Sequence, residues 1–136
     1  MRGELKFSGG PELERALREL GGEIAGRLGL NAVRAGARVI AARARQIVPV
    51  RTGALKKSIR TFDDRELNRQ KARERVAYAG TRAFYAGLVE FGTAHSAAQP
   101  FLRPAADTAA QRAVDQLKDN LGRGIERETA KYRGRS

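Results

Sequence analysis

One short stretch of the chain, residues 85 to 105, gathers most of the residues that could do chemistry. It contains Glu90, His95 and Ser96, which are the acid, base and hydroxyl nucleophile types of a catalytic triad. Their spacing gives a triad little support, because no strand-to-helix nucleophile turn flanks Ser96 and His95 is the only histidine in the chain. A nuclease that uses His95 and Glu90 is the weaker enzymatic alternative. We therefore expect a protein that is not an enzyme and has no catalytic residues.

The composition also disfavours a metal or cofactor site. One histidine and no cysteine leave no ligand set with workable spacing, and the glycine-rich segments lack the Lys-Ser/Thr ending of a phosphate-binding loop. Lys and Arg number 27 against 15 Asp and Glu, which gives a formal charge of +12 and favours acidic partners such as nucleic acid or acidic proteins. No apolar run is long enough to span a membrane. We expect no cofactor, no metal and no membrane partner.

The elements that must position residues 85 to 105 follow from apolar periodicity. Steps of three and four predict a long N-terminal helix that ends before Pro49. Its glycines leave two possibilities: one continuous helix, or two helices with a break near Gly29 to Asn31. The apolar residues at this spacing are Leu13, Leu17, Leu20, Ile24, Leu28, Val33, Ala37, Ile40, Ala44 and Ile47.

The second half of the chain predicts a small sheet and a further helix. Ile59 to Phe62 and Val76 to Tyr78 are typical of two strands, and residues 63–75 between them form a charged loop that we expect to be mobile. Residues 83–91 suit a short helix. Pro104 suits the first turn of a C-terminal helix. The apolar face of that helix is Ala106, Ala110, Ala113, Leu117, Leu121 and Ile125.

This order of elements predicts an α+β fold, with a small antiparallel sheet between the two long helices. The length of 136 residues suits a single domain over 1–136, and residues 1–9 and 127–136 are expected to be flexible termini. The large apolar residues Leu, Ile, Val and Phe make up about a fifth of the chain. A core this small is marginal, and association with copies or partners would supply further burial.

Two motif blocks, VPVRTGALKKSI (48–59) and YAGLVEFGTAHSAAQPFLRPA (85–105), resemble a family of minor structural proteins from long-tailed bacteriophages and prophages. Members of that family are neck, tail-completion or head-tail connector components. The matching residues are Pro49, Thr52, Gly53, Leu55, Ser58, Ile59, Tyr85, Glu90, Phe91, Gly92, Thr93, Pro100, Phe101, Pro104 and Ala105. The resemblance spans about residues 10 to 122.

The resemblance implies that residues 85 to 105 form a shaped surface rather than an active site. Phe91 and Phe101 would be core anchors, Gly92 would supply a backbone angle that other residues resist, and Pro100 and Pro104 would stiffen the loop. An acid between Val89 and Phe91 should be partly buried, and should need a cation or a backbone N–H partner. We predict a structural ion pair or an inter-subunit contact for Glu90. The candidate cations are Arg51, Arg82 and Arg103.

The resemblance implies a homo-oligomeric ring, a hexamer or a dodecamer, in the neck of the virion. The ring would be assembled in the host cytoplasm, dock connector or stopper and tail terminator proteins, and enclose the DNA channel. The resemblance leaves open whether the ring contacts that DNA. The alternative function is a small basic nucleic-acid-binding protein that contacts the DNA backbone. Arg34, Arg38 and Arg45 of the first helix are either its cationic stripe or an ordinary solvated face.

Overall fold

Two long helices and a small sheet form the frame of the chain in the computed structural model, which describes residues 2–6, 11–50, 53–65, 68 and 75–133. Within these ranges the strands are β1 (Arg2–Lys6), β2 (Arg60–Asp63) and β3 (Val76–Gly80). The helices are α1 (Pro11–Leu20), α2 (Gly22–Ile47), α3 (Ala54–Ser58), α4 (Ala86–Phe91) and α5 (Leu102–Arg133). The predicted α+β class is confirmed. None of the helices within the described ranges has the length and apolarity needed to cross a membrane.

The main core lies between α2 and α5, which run antiparallel. Arg43 of α2 reaches Thr108 near the start of α5, and Arg27 of α2 reaches Glu128 near its end. Alanines fill much of the contact, which lets the two helices approach closely. The buried residues of the pair are Leu28, Ala32, Val33, Ala37, Ile40, Ala41, Ala44, Leu102, Ala105, Ala109, Ala113, Leu117 and Leu121.

The buried face of α5 differs at its start from the predicted one. Ala105 and Ala109 are buried, whereas Ala106 is half-buried and Ala110 is exposed. An alanine-rich sequence offers several neighbouring faces of similar apolarity, so spacing alone selects among them weakly. Buried Phe101 and Leu102 set the rotation of the first turn.

The break in the N-terminal helix lies at Gly21, and the predicted break near Gly29 to Asn31 is wrong. Gly21 has a φ of 92°, a left-handed angle that separates α1 from α2, whereas α2 runs unbroken through Gly29. The glycines inside α2 make room for a neighbouring side chain. A Cβ at Gly26 would lie 2.7 Å from Nη2 of Arg75, and a Cβ at Gly29 would lie 3.4 Å from its Cγ.

The sheet has three antiparallel strands in the order β1-β3-β2. The β2-β3 hairpin was predicted, but β1 was not: residues 2–6 pair with β3 from Arg2↔Gly80 to Lys6↔Val76. At the other end, α5 continues to Arg133. The expected flexibility of residues 1–9 and 127–136 stays a prediction. Ala77 and Ala79 of β3 are buried in the core.

The charged segment 63–75 is tied to the fold at its first residue and at Asn68 near its middle. Asp63 pairs with Arg34 of α2 through two bonds of 2.6 and 2.8 Å. Asn68 donates to the carbonyl of Val76 and accepts from its N–H, at 3.2 and 2.7 Å. Residues 66–67 and 69–74 lie outside the described residues, and the expected mobility of this segment stays a prediction.

Candidate functional site

The second motif block folds as α4, a connecting loop over 92–101, and the first turn of α5. Gly92 ends α4 by donating its N–H to the carbonyl of Leu88 at 2.9 Å, with a φ of 78°. A Cβ at this position would lie 2.6 Å from the backbone nitrogen of Ala98 and 3.0 Å from the carbonyl oxygen of Ser96. Both the angle and the space therefore require glycine, as the sequence indicated.

Hydrogen bonds inside the loop hold it in one shape. The hydroxyl of Thr93 accepts from the N–H groups of His95 and Ser96 at 3.2 and 3.0 Å, and the N–H of Thr93 donates to the carbonyl of Ser96 at 2.8 Å. The N–H of Gln99 donates to the carbonyl of Val89 at 2.8 Å, which folds the loop back onto α4. Thr93 of the family motif thus acts on its own loop.

Glu90 joins α4 to the start of α5. Its side chain is buried, and its carboxylate accepts three backbone N–H groups: Oε2 from Phe101 and Leu102 at 2.6 and 3.1 Å, and Oε1 from Arg103 at 3.0 Å. The first N–H groups of a helix have no partner within the helix, and its dipole favours a negative charge there. Glu90 therefore caps α5 from eleven to thirteen residues away.

Backbone N–H groups, which the sequence allowed as an alternative to a cation, are the partners of Glu90 among the described residues. Among the described residues, no arginine or lysine lies within salt-bridge distance of it: Arg82 stacks over the ring of Phe62 at 4.9 Å, and Arg103 contributes its N–H. Arg51 lies outside the described residues. Three N–H donors offset the desolvation of the carboxylate, so a cation is not required.

The first motif block packs beside the second. Gly53, with a φ of 79°, precedes α3, and Leu55 is buried. The hydroxyl of Ser58 donates to the carbonyl of Leu55 at 2.6 Å and shares a second bond with Thr81, 2.5 Å away. Thr81 also accepts from the N–H of Ala83 at 3.0 Å. These bonds connect α3 to the segment that leads into α4. Thr52 lies outside the described residues.

The aromatic residues of the block divide between core and surface. Phe101 is fully buried, as predicted, but Phe91 is 74% exposed, so its expected role as a core anchor is wrong. Phe84 and Leu88 are 94% and 57% exposed. Leu88 and Phe91 lie on the exposed side of α4 and Phe84 lies in the turn before it, while Ala86 and Glu90 form the buried side of the helix. We call Phe84, Leu88 and Phe91 the apolar stripe.

Glu90, His95 and Ser96 do not share one environment. Glu90 is buried and all three of its bonds go to backbone, whereas His95 and Ser96 are exposed on the loop. The residues do not form the acid, base and nucleophile arrangement that their types allowed. Within the described part of the chain, no group of three His, Asp or Glu side chains could hold a metal ion. The block presents a shaped surface.

Two of the three arginines singled out in the first helix have structural partners. Arg34 pairs with Asp63, and that hydrogen bond lowers the pKa of Asp63 below its ordinary value against the opposing effect of burial. Arg45 donates twice to the carbonyl of Ile59, at 3.1 and 2.8 Å. Arg38 is exposed and lines a groove between α2 and α5. The sequence could not separate these roles, because each partner lies far along the chain.

Comparison with known proteins gives one family. The family model described as "Bacteriophage HK97-gp10, putative tail-component" matches residues 11–92, from the start of α1 to the glycine that ends α4. The match includes the first motif block and the start of the second, and Pro100, Phe101 and Pro104 lie beyond it. No curated protein and no solved structure matches the chain.

Proposed function

The chain belongs to the HK97-gp10-like family of phage tail components, and from this premise we propose that it is a structural virion protein of the head-to-tail joint. It acts there as a neck or tail-completion component that forms a ring, hexameric or dodecameric, around the DNA channel. The observation that carries the proposal is the apolar stripe of Phe84, Leu88 and Phe91, left exposed on a segment whose shape is held by hydrogen bonds.

The stripe is unused by the fold of a single chain. Burying a large apolar side chain stabilises a protein by about 1.5 to 3 kcal/mol, so three exposed ones forgo a sizeable stabilisation. Clusters of exposed apolar residues mark interaction surfaces, and aromatic residues dominate the centres of such interfaces. The stripe is therefore the edge that meets the next subunit or a neighbouring connector, stopper or tail terminator protein.

The shape of the segment supports docking. The Glu90 cap, the Gly92 turn and the Thr93 bonds hold α4, the loop and the start of α5 together before any partner arrives. A surface that is already ordered loses little conformational entropy on binding, so more of the contact energy appears as affinity.

Charge limits what can surround such a ring. Six copies of a chain with a formal charge of +12 would carry +72, and like charges this dense repel. Acidic surfaces on neighbouring proteins, or DNA in the channel, would offset that repulsion. Rings of this kind form through heterologous contacts that close by rotation.

The test is assembly of the purified protein, measured by light scattering alone and with the neighbouring virion proteins. The wild type should form a closed oligomer in at least one of these conditions, and the double variant Phe84→Ser/Phe91→Ser should remain monomeric. Val50→Ser is the matched control, because Val50 is also exposed, at 61%, but lies outside the stripe. A wild type that stays monomeric in every mixture contradicts the proposal, as does a stripe variant that assembles normally.

A further inference from the structure

A polar groove lies between α2 and α5. Its volume is about 380 Å³. The α2 side spans about 16 Å of helix from Ala35 to Gln46, at 1.5 Å per residue. The lining residues are Ala35, Arg38, Val39, Ala42, Arg43 and Gln46 from α2, and Arg112, Gln116 and Asn120 from α5.

The lining is cationic and contains no acid. Arg38, Arg43 and Arg112 face it, and the guanidinium of Arg43 is held in place by Thr108 and Gln46 at 3.3 and 3.0 Å. Arg38 and Arg112 are exposed and make no ion pair or hydrogen bond with any side chain among the described residues. The groove therefore carries three positive charges that nothing in its lining neutralises.

The acids nearest in sequence on α5 are already engaged. Asp115 accepts from Gln111 at 3.0 Å, and Asp119 pairs with Arg123 at 2.7 Å.

Other arginines of α2 differ from those of the groove. Arg27 pairs with Glu128, Arg34 with Asp63, and Arg45 with a backbone carbonyl. Arg43 also donates to Thr108 and Gln46, so Arg38 is the arginine of this helix that has no hydrogen-bond or ion-pair partner among the described residues.

We propose that this groove binds the phosphodiester backbone of DNA. Guanidinium groups match phosphate oxygens in geometry and charge, and the amides of Gln46, Gln116 and Asn120 add neutral donors. The lining contains no aromatic residue on which a base could stack, which favours backbone contact over binding of unpaired bases.

An acidic protein is the other macromolecule that the charge would suit. The groove disfavours it, because Val39 is the largest apolar side chain in the lining and protein interfaces need a desolvated apolar centre. The apolar stripe on α4 supplies such a centre elsewhere on the molecule. This proposal deepens the proposed function and rests on it, because the DNA that the groove would bind is the DNA that passes through the head-to-tail joint.

The experiment measures binding of the full chain to a fluorescent 40-base-pair duplex between 50 mM and 1 M salt. Each phosphate contact contributes about 0.9 to the slope of log affinity against log salt. The double variant Arg38→Gln/Arg112→Gln should lose about 1.8 from that slope, which corresponds to about 60-fold weaker binding at 0.1 M salt. Two duplexes of unrelated sequence should bind alike, because backbone contacts carry no sequence information.

The matched control is Arg15→Gln/Arg18→Gln, which removes two exposed charges from α1, outside the groove. If the two double variants show the same slope, the contact is distributed over the whole basic surface, and the groove proposal is overturned. The wild type failing to bind DNA at low salt overturns it as well.

Light scattering on the same samples separates the two proposals. Loss of DNA binding with assembly intact supports the groove, whereas loss of assembly in the groove variant would make the groove a subunit contact and contradict the proposal.

Discussion

The two sides of α4 show opposite uses of the same short helix. Its inner side holds Glu90, which is 4% exposed and closes the start of α5, while its outer side carries Phe91, which is 74% exposed and touches little of its own chain. The usual distribution of polar and apolar residues is reversed here. The acid is inside because backbone N–H groups satisfy it, and the proposed function gives the exposed Phe91 a contact beyond a single chain.

This comparison implies that changes on the inner side should lower stability, and changes on the outer side should lower assembly. Substitutions at Gly92 and Glu90 test the first half, and a substitution at Asp63 on β2 tests a more exposed tie of the fold, in order of expected effect.

Gly92→Ala should have the largest effect. A φ of 78° disfavours any side chain, and the added Cβ would lie 2.6 Å from the backbone of Ala98, which cannot move without opening the loop. Strain and overpacking together should lower the free energy of unfolding by about 4 kcal/mol. Urea denaturation would measure it. Gly87→Ala is the matched control, since a Cβ there meets nothing within 4 Å in a helical backbone, and this variant should be as stable as the wild type or slightly more stable.

Glu90→Gln should have the next largest effect. The amide keeps one acceptor oxygen but turns an NH₂ group toward backbone N–H donors, so the first turn of α5 loses part of its cap and the favourable charge at the helix start. We expect a loss of about 2 kcal/mol in the free energy of unfolding. Glu126→Gln, at an exposed position of α5, should change it little. Equal stabilities of the two variants would mean that the cap contributes nothing to folding.

Asp63→Asn should have the smallest effect, because the Asp63 and Arg34 side chains are 26% and 37% exposed and water screens their pairing. The expected loss is about 1 kcal/mol at neutral pH. The pKa of Asp63 is lowered in the folded state, so the carboxylate stabilises the protein above its ordinary pKa of 3.8, and that contribution disappears as the pH falls through the folded value.

Thermal unfolding of the wild type and Asp63→Asn between pH 7 and pH 2 would measure this contribution. The two curves should differ at neutral pH and converge in acid. A difference that persists unchanged at pH 2 would show that the amide disturbs packing and that the charge is not responsible.

Much of the fold could be predicted from local patterns. Four features follow from the types and spacing of nearby residues. They are the apolar face of the N-terminal helix, the β2-β3 hairpin, the need for glycine at position 92 and the burial of Phe101. The missed strand β1 has no comparable local signal, since it exists through pairing with β3, more than seventy residues away. The break was misplaced because the glycines of the N-terminal helices look alike in sequence, while among those from Gly21 to Gly36 only Gly21 has a positive φ.

The position of the candidate site could be predicted from the sequence, but the roles of its individual residues could not. Spacing placed Phe84, Leu88 and Phe91 on one side of a helix, yet the same spacing is typical of a buried face, and Phe91 was expected in the core. In the same way, Arg34 and Arg38 are equivalent in sequence, while one is bonded to Asp63 and the other lines the groove.

The sequence by itself determined the two long helical regions and the β2-β3 hairpin, that the chain is strongly basic, and which family of phage tail components it belongs to. Only the tertiary structure decided which polar groups meet: Glu90 with the first turn of α5, Arg34 with Asp63, and neither Arg38 nor Arg112 with an acid among the described residues. The physical reason is that periodicity reports the orientation of residues within one element. Burial and pairing depend on which other element lies opposite, and that is set by contacts between residues distant in the chain.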